Sequence, residues 1–303
     1  MKFHRMISFL VIVTYMTFGS VSDSFAEEQA EITSGPLQKR VGVVFFQNRT
    51  LFQDNRLVTI TDEIITDYLK ESCPDVVPVT DENQAFSELR NKQPRHISGA
   101  ISNLKIAMQG RKLGLNAIIT GEISEIKGVQ EELGFLWLKE MVFFVHVHML
   151  ISIYDTETGS KLLEKYVSEE GEISEDTYYK IIAKDFTPAF PVIEELVVSL
   201  SDELADEACY RLEDEPFKTY IKSADGEKIT ITAGRNAGIA KGSLFNIHDS
   251  SRIMPGRDGH KFIIAGPETG KLRIETVYED SADGLIYEGE KKGMDSCLIL
   301  FEE

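Results

Sequence analysis

The chain has 303 residues, of which 50 are Asp or Glu and 32 are Lys or Arg, so its formal net charge at neutral pH is −18. A surface this acidic repels phosphate backbones and anionic lipid headgroups, which argues against nucleic acid and peripheral membranes as partners.

The first 26 residues have the organisation of a secretory signal peptide. Lys2 and Arg5 precede a short apolar run that closes on a Ser-Phe-Ala cleavage pattern. This run is too short to cross a bilayer. Because the first cysteine is Cys73, no cysteine follows the apolar run for lipid attachment. We therefore expect residues 1–26 to be removed and the protein to be periplasmic and not a lipoprotein.

Residues 27–39 are polar and contain a Gly-Pro pair, which predicts a disordered lead-in. After it, apolar runs of strand length predict buried strands at 40–48, 75–79, 116–126 and 141–154. Apolar residues at helical spacing predict helices at 55–70, from 97 to about 113 (with the stripe Ile97, Ile101, Leu104 and Met108), and from 174 to 206.

The connections between these elements have their own signals. Residues 127–140 are expected to form a loop, and the sequence DTETG (155–159) predicts a hairpin turn with Gly159 at positive φ. Pro188 and Pro191 are expected to break the last helix. Residues 40–204 therefore predict a domain in which helices cover a mixed sheet.

Residues 205–216 (ADEACYRLEDEP) are acidic and predict a linker. From 217 to 303 glycine is frequent, no helical stripe is visible, and short β-rich runs recur every ten to twenty residues or so. This spacing is typical of a small antiparallel β-barrel or sandwich. The sequence thus predicts an α+β protein, with a mixed α/β domain followed by a small β-barrel domain.

The sequence GRNAGIAKGSLF (234–245) could be a phosphate-binding loop or a turn of the β module. A Walker-type loop needs Gly-Lys followed by Ser or Thr and then a helix. Here Lys241 precedes Gly242 and a β run follows, so we predict a tight turn from Gly234 to Gly238 and a second turn at Lys241-Gly242. The sequence GPETGKL (266–272) fails the same test, and no nucleotide or other cofactor is expected.

Two parts of the chain resemble known families. The sequences ITITAGRNAGIAKGSLFNIHD, PETGKLRIETVYEDSADGLIYEG and GMDSC resemble the C-terminal domain of the flagellar H-ring assembly protein FlgT. The sequences VGVVFFQN, LGLNAIITGEI and ISIYDTETGSKL resemble the α/β domain shared by the TolB N-terminus, the curli secretion protein CsgG and the middle of FlgT. These resemblances imply a TolB-N/CsgG-like domain at 40–204 and a FlgT-like barrel at 217–303. The membrane-inserting hairpins of CsgG have no counterpart in the sequence, so integral membrane insertion is not expected.

Candidate catalytic and metal-binding residues are few. His146 and His148 lie two residues apart on a predicted strand, so both side chains point to one face. Two imidazoles can contribute to a metal site, but no third ligand is apparent, and no metal is predicted. The sequence has no Gly-x-Ser-x-Gly elbow, no reactive-cysteine context and no evident Ser/His/Asp set. We therefore expect a protein that is not an enzyme.

The candidate interaction residues are Trp137, Gly234, Gly238, Lys241 and Gly242. Trp137 is the only tryptophan and lies in the apolar run GFLWLKEMVFF (134–144), a pattern that fits either a buried core or a partner-binding edge.

The three cysteines permit one disulfide in an oxidising compartment. A bridge from Cys209 to Cys297 would join the linker to the last strand, and buried or free thiols are the alternative.

The function expected from these observations is that of an exported, non-enzymatic assembly protein, and the FlgT resemblance implies a role in flagellar basal-body ring assembly. Its partners would be envelope or basal-body proteins, or further copies of itself in a ring. The alternative is a periplasmic accessory protein that binds a small ligand or glycan in the cleft between its two domains.

Overall fold

The computed structural model describes residues 36–44, 46–79, 84–91, 93–96, 99, 101–226, 228–289 and 299–302. The predicted signal peptide, the predicted lead-in up to residue 35, and Cys297 lie outside the described residues. The predicted disorder is wrong for residues 36–39, because the Gln38 backbone donates a hydrogen bond to Ala237 and Lys39 is buried at the start of the first strand.

The first half of the chain builds a mixed sheet. Its strands are β1 (Lys39–Val43), β2 (Gln47–Asn48), β3 (Val76–Val79), β4 (Ala117–Phe135), β5 (Leu138–Asp155) and β6 (Lys161–Ile173). The order across the sheet is β3-β1-β4-β5-β6, and β2 pairs with β4. β1 is parallel to β3 and β4, whereas β4, β5 and β6 are antiparallel neighbours. The mixed sheet predicted from the sequence is confirmed.

Helices cover both faces of this sheet. They are α1 (Asn55–Ser72), α2 (Gln84–Asn91), α3 (Asn103–Lys112), α4 (Glu175–Ile182) and α5 (Phe190–Glu213). Successive strand side chains point to opposite faces. Accordingly, Ile119 is buried in the same cluster as α1, α4 and α5, while Ile118 is buried with α2 and α3. A 3-10 turn at Thr187–Ala189 separates α4 from α5, which confirms the predicted proline break.

Helix α5 is longer than the sequence analysis predicts. Residues 205–213, expected to be linker, form its last turns. Ala205, Ala208, Cys209 and Leu212 are buried there against the rest of the core. Their spacing of three and four residues is that of one helical face. The predicted linker is therefore wrong for residues 205–213, and only a short connection leads into the next strand.

Residues 127–140 also differ from the expectation, because they are not a loop. β4 and β5 stay paired, with one irregularity in register at Ser124, until Phe135 opposes Leu138, so Leu136 and Trp137 form the turn of one long hairpin. The outer part of this hairpin is exposed on both faces, so its sequence lacks the alternation of buried and exposed residues that identifies a strand.

The second half builds a closed barrel. The first three barrel strands are β7 (Lys218–Asp225), β8 (Lys228–Ile231) and β9 (Leu244–His248). A separate two-stranded hairpin follows, formed by β10 (Arg252–Pro255) and β11 (Lys261–Ile264). The last three barrel strands are β12 (Glu268–Val277), β13 (Ala282–Gly289) and β14 (Ile299–Glu302). The order around the barrel is β12-β13-β8-β7-β14-β9, with every pair antiparallel. Ile229, Phe245 and Leu272 fill its interior. The α+β class predicted from the sequence is thus confirmed in the described residues.

The sheet and the barrel meet through buried polar contacts. The Lys218 Nζ atom on β7 lies 2.7 Å from Asp155 Oδ1 and 3.0 Å from Glu157 Oε2. Asp155 is the last residue of β5, and Glu157 lies in the turn that follows it. Lys218 and Asp155 are each 3% exposed. The described residues belong to one compact unit. The domain limits at 40–204 and 217–303 remain a prediction.

The charges in this contact stabilise one another. Burial alone would raise the pKa of Asp155, but the charge of Lys218 and hydrogen bonds from Lys218, Thr158 and the Glu157 backbone hold that pKa below its usual value. Burial opposes the charged form of Lys218 as well, yet the charges of Asp155 and Glu157 raise its pKa. Removing one partner would leave a buried charge uncompensated.

A disulfide links Cys73, at the end of α1, to Cys209 in α5, with the two Cα atoms 5.8 Å apart. The predicted pairing of Cys209 with Cys297 is therefore wrong. The physical reason is that α1 and α5 pack side by side on one face of the sheet, which brings these two buried cysteines together.

The described part of the chain contains no helix with both the length and the apolar character needed to cross a membrane.

Candidate interaction site

The long hairpin of β4 and β5 extends beyond its neighbour in the sheet. β6 stops pairing with β5 where Ile173 opposes Phe143, whereas β4 and β5 stay paired as far as Phe135 and Leu138. Residues 131–142, which we call the hairpin tip, therefore project as a two-stranded ribbon. All residues from 131 to 141 are exposed.

The end of the hairpin tip is apolar. Phe135, Leu136, Trp137 and Leu138 are 77%, 58%, 84% and 74% exposed, respectively. Leu133 and Met141 flank them and are also exposed. An isolated two-stranded hairpin is only marginally stable in water, and a contiguous exposed apolar patch marks an interaction site.

The turn itself holds an apolar residue in an unfavourable backbone conformation. Leu136 has φ of 54°, in the left-handed region that two-residue hairpin turns usually fill with Asn, Asp or Gly. Nearby Gly134 has φ of 119°, and a Cβ there would collide with the carbonyl oxygen of Leu138. Strain of this kind concentrates at functional positions. The hairpin tip thus presents a leucine where a polar or glycine turn residue would cost less.

The charges next to this apolar end are mostly acidic. Lys139 makes an ion pair with Glu132, with Nζ 2.8 Å from Oε2. Glu131 and Glu140 are exposed on the same ribbon and add negative charge. The hairpin tip therefore combines an apolar end with an acidic base.

Trp137 was the one residue of this region that the sequence singled out. Its exposure rules out the core interpretation. The neighbouring Phe135, Leu136 and Leu138 were not identified as site residues, although the run GFLWL was the signal that contained them.

The glycine turn of the barrel has a structural role that limits its use as a surface. Residues Arg235–Ala237 form a 3-10 turn, Gly238 follows with φ of 81°, and β9 begins two residues after Gly242. A Cβ on Gly238 would lie 2.6 Å from the Pro36 carbonyl oxygen, and Gly234 is buried against residues 278–281. Lys241 is exposed. The turn interpretation is confirmed; whether this segment binds a partner stays a prediction, and it lies in the barrel, outside the hairpin tip.

His146 and His148 lie on the half-exposed outer face of β5, where carboxylates from both neighbouring strands approach them. His146 Nε2 lies 2.7 Å from Glu170 Oε2, without the alignment of a hydrogen bond, and His148 Nε2 lies 3.6 Å from Glu125 Oε2. Ligand atoms of Glu131, His146 and Glu170 lie within 4.8 Å of one another. This set could hold a divalent ion such as Zn²⁺, and it supplies the third ligand that the sequence did not reveal. Glu131 and Glu170 are exposed, and exposed acidic groups commonly lie together at a protein surface without a metal ion.

A cavity of about 220 Å³ lies where α3, β7 and the β10–β11 hairpin meet, between the mixed sheet and the barrel. Its position corresponds to the cleft in which the sequence analysis placed the alternative ligand site. Its lining residues are Leu104, Met108, Arg111, Lys112, Tyr220, Ile221, Lys222, Thr232, Ser250, Ser251, Ile253 and Ile263.

Comparison with known proteins gives no family for this chain. No family model matches the sequence, and no curated protein matches it.

Several solved structures are similar in part. A hypothetical protein from Chlamydia trachomatis matches with 13% identity and a TM-score of 0.33, over 57% of this chain and 99% of that one. The C-terminal domain of LpoB from Salmonella enterica matches with 12% identity and a TM-score of 0.30, over 46% and 87%. TolB from Acinetobacter baumannii matches with 11% identity and a TM-score of 0.29, over 88% and 64%. Similarities at these scores carry no inference about function.

Proposed function

We propose that this chain is an exported, non-enzymatic protein of the cell envelope that works by binding another protein through the hairpin tip. One observation carries the proposal: four consecutive large apolar residues, 135–138, are each more than half exposed at the end of a ribbon. Fully burying a side chain of this kind stabilises a complex by roughly 1.5–3 kcal/mol. An exposed tryptophan at such a position is typical of a binding hot spot.

The partner that fits is a protein with an apolar groove rimmed by basic side chains. The hairpin tip is only two strands wide, so it suits insertion into a groove better than docking against a flat surface. Its acidic residues, Glu131 and Glu140, favour a basic rim and disfavour anionic lipid. A second copy of this chain would bring two acidic ribbons together, with a chain charge of −18 on each side.

Sequence features support the proposed export of the protein and its proposed role at the flagellar basal body. The n-region, apolar run and Ser-Phe-Ala pattern of residues 1–26 support secretion to the periplasm. The resemblance of residues 229–249 to the FlgT C-terminal domain, and of residues 41–48 to the TolB-N/CsgG-like domain, supports a role in basal-body ring assembly. The lack of nucleophile motifs in the sequence supports a role other than catalysis.

The experiment is co-purification after cross-linking from envelope fractions, with basal bodies isolated in parallel. The variant Trp137→Ser/Leu138→Ser replaces two of the four apolar residues at the end of the hairpin tip, including its tryptophan. Tyr210→Ser is the matched control because Tyr210 is 70% exposed on α5, away from the hairpin tip. We expect one defined protein to be recovered with the wild type and with the control, and to be lost with the double variant.

The partner is then purified and its affinity measured directly. Loss of a hot-spot tryptophan predicts affinity weaker by about thirtyfold or more. Recovery of the same partner by the double variant would refute the docking site. A partner that is not a basal-body protein would refute the flagellar setting and leave the docking site standing. Self-association or binding to vesicles that depends on the hairpin tip would refute the proposed class of partner.

A further inference from the structure

A second site lies in the cavity between the mixed sheet and the barrel, and its lining does not depend on the hairpin tip. Three separate elements enclose it: Leu104 and Met108 come from α3, Ile221 from β7, and Ile253 and Ile263 from the β10–β11 hairpin. The cavity has a volume of about 220 Å³. An apolar protein cavity of about 150 Å³ is large enough to bind benzene.

The apolar residues of α3 point to a use for this cavity. Leu104 and Met108 belong to the apolar stripe from which the sequence predicts the helix, but the residues that α3 buries in the core are Ile106 and Ala107. Met108 is 44% exposed, and Leu104 is only partly buried. Their side chains line the cavity, so this face of α3 carries apolar surface that the protein's own core does not cover.

The serine and threonine hydroxyls that line the cavity already make hydrogen bonds within the protein. Ser250 accepts a hydrogen bond from Arg111, with Nη1 2.8 Å from Oγ. Ser251 donates from its backbone and its hydroxyl to Asp249. The Thr232 hydroxyl accepts a hydrogen bond from the Tyr220 backbone at 3.2 Å. A glycan needs many free hydrogen-bonding groups, so this lining does not suit one.

Two lysines provide the charge at this site. Lys112, at the end of α3, and Lys222, on β7, both line the cavity and are exposed. Neither has an ion-pair or hydrogen-bond partner among the described residues. Unpaired cations next to an apolar cavity are notable in a chain that carries 50 acidic residues against 32 basic ones.

We propose that the cavity binds a small monocarboxylate with a medium-length alkyl chain, with the carboxylate at Lys112 and Lys222 and the chain against Leu104, Met108 and Ile263. The apolar lining takes up the chain by burial of apolar surface. The two ammonium groups bind the carboxylate by charge-assisted hydrogen bonds. This site goes beyond the proposed docking function and does not rest on it.

The test is calorimetric titration of the full mature protein with octanoate, with 1-octanol as the uncharged analogue. We expect saturable binding of one octanoate per chain, and binding of 1-octanol weaker by about tenfold or more, because hydrogen bonds to charged groups contribute this much. Lys112→Gln/Lys222→Gln should weaken octanoate by a similar factor. Lys105→Gln is the matched control, since Lys105 is exposed on the same helix and does not line the cavity.

A second variant tests the cavity without removing a charge. Met108→Trp fills it from a half-exposed position and should abolish binding. Met254→Trp is its control, because Met254 is 49% exposed on β10 and does not line the cavity. Circular dichroism checks that each variant folds. Absence of octanoate binding to the folded wild type, equal affinity for 1-octanol, or binding unchanged in Met108→Trp would each overturn the proposal.

Discussion

Replacing Cys73 by alanine removes the disulfide that ties the end of α1 to α5. The bridge joins residues that are 136 positions apart in sequence. Closing a loop of that length removes chain entropy from the unfolded state worth about 5 kcal/mol, which is the upper end of the effects measured for disulfides. Both cysteines are buried, so the change also removes packing contacts between the two helices.

We expect the free energy of unfolding to fall by about 2–5 kcal/mol in Cys73→Ala and in Cys209→Ala. The two losses should not add in the double variant, because each substitution breaks the same bond. Reduction of the disulfide in the wild type should also lower the free energy of unfolding. The assay is urea unfolding followed by far-UV circular dichroism, since the only tryptophan, Trp137, is exposed and reports poorly on the core.

Cys297→Ala is the control that separates the observed pairing from the one predicted from sequence. If the disulfide joins Cys73 to Cys209, the variant Cys297→Ala still contains it, and reductant still lowers the stability of this variant. Peptide mapping of the non-reduced protein should recover Cys73 and Cys209 in one linked fragment. A linked Cys209–Cys297 fragment, or a Cys73→Ala variant as stable as the wild type, would refute the reasoning.

Three further predictions concern stability. Lys218→Met should lower the free energy of unfolding by about 3–5 kcal/mol in urea titrations, because it leaves Asp155 buried without its ion-pair partner; a loss below about 1 kcal/mol would contradict this. The pKa of Asp155 is lower in the folded state than in the unfolded state, where it is about 3.9. The ionised carboxylate therefore contributes to the free energy of unfolding above about pH 3.9, and this contribution is lost as the pH falls through the folded-state pKa. The urea concentration at the unfolding midpoint should therefore fall as the pH is lowered from 5 to 2. The fall should be smaller in Lys218→Met. In contrast, Trp137→Ser/Leu138→Ser should change stability by less than about 0.5 kcal/mol, because surface substitutions away from packed contacts have small effects; a larger loss would mean that the hairpin tip packs against the protein.

The elements that pack on both sides were predictable from sequence. Residues 41–44, in and just after β1, and residues 117–119, at the start of β4, are apolar and buried on both faces of the sheet, and such a continuous run identifies a buried strand. The glycine turn from Gly234 to Gly238 was also predictable, because positive φ and close backbone approach at Gly238 exclude side chains. In the buried strands and in the glycine turn, the residue types that the tertiary structure requires are also those that identify the element in the sequence.

Other features depend on contacts that sequence patterns do not encode. Residues 131–141 of the β4–β5 hairpin are exposed on both faces, so no alternation of buried and exposed residues marks them as strand. The pairing of Cys73 with Cys209 follows from the packing of α1 against α5, and three cysteines alone allow three pairings. Lys218 meets Asp155 across 63 residues of chain. The end of α5 is different, since Ala205, Ala208, Cys209 and Leu212 have helical spacing that the acidic composition concealed.

The most direct test of the central claim is site-specific photo-cross-linking in living cells with the probe in place of Leu138, and with a probe in place of Tyr210 as the control. Proteolytic mapping of any adduct identifies the segment of the partner that contacts the hairpin tip. The account predicts one defined protein adduct at position 138 and none at position 210, with the cross-linked segment apolar and flanked by Lys or Arg. The absence of an adduct at position 138, or an adduct only with lipid or with a second copy of this chain, would contradict it.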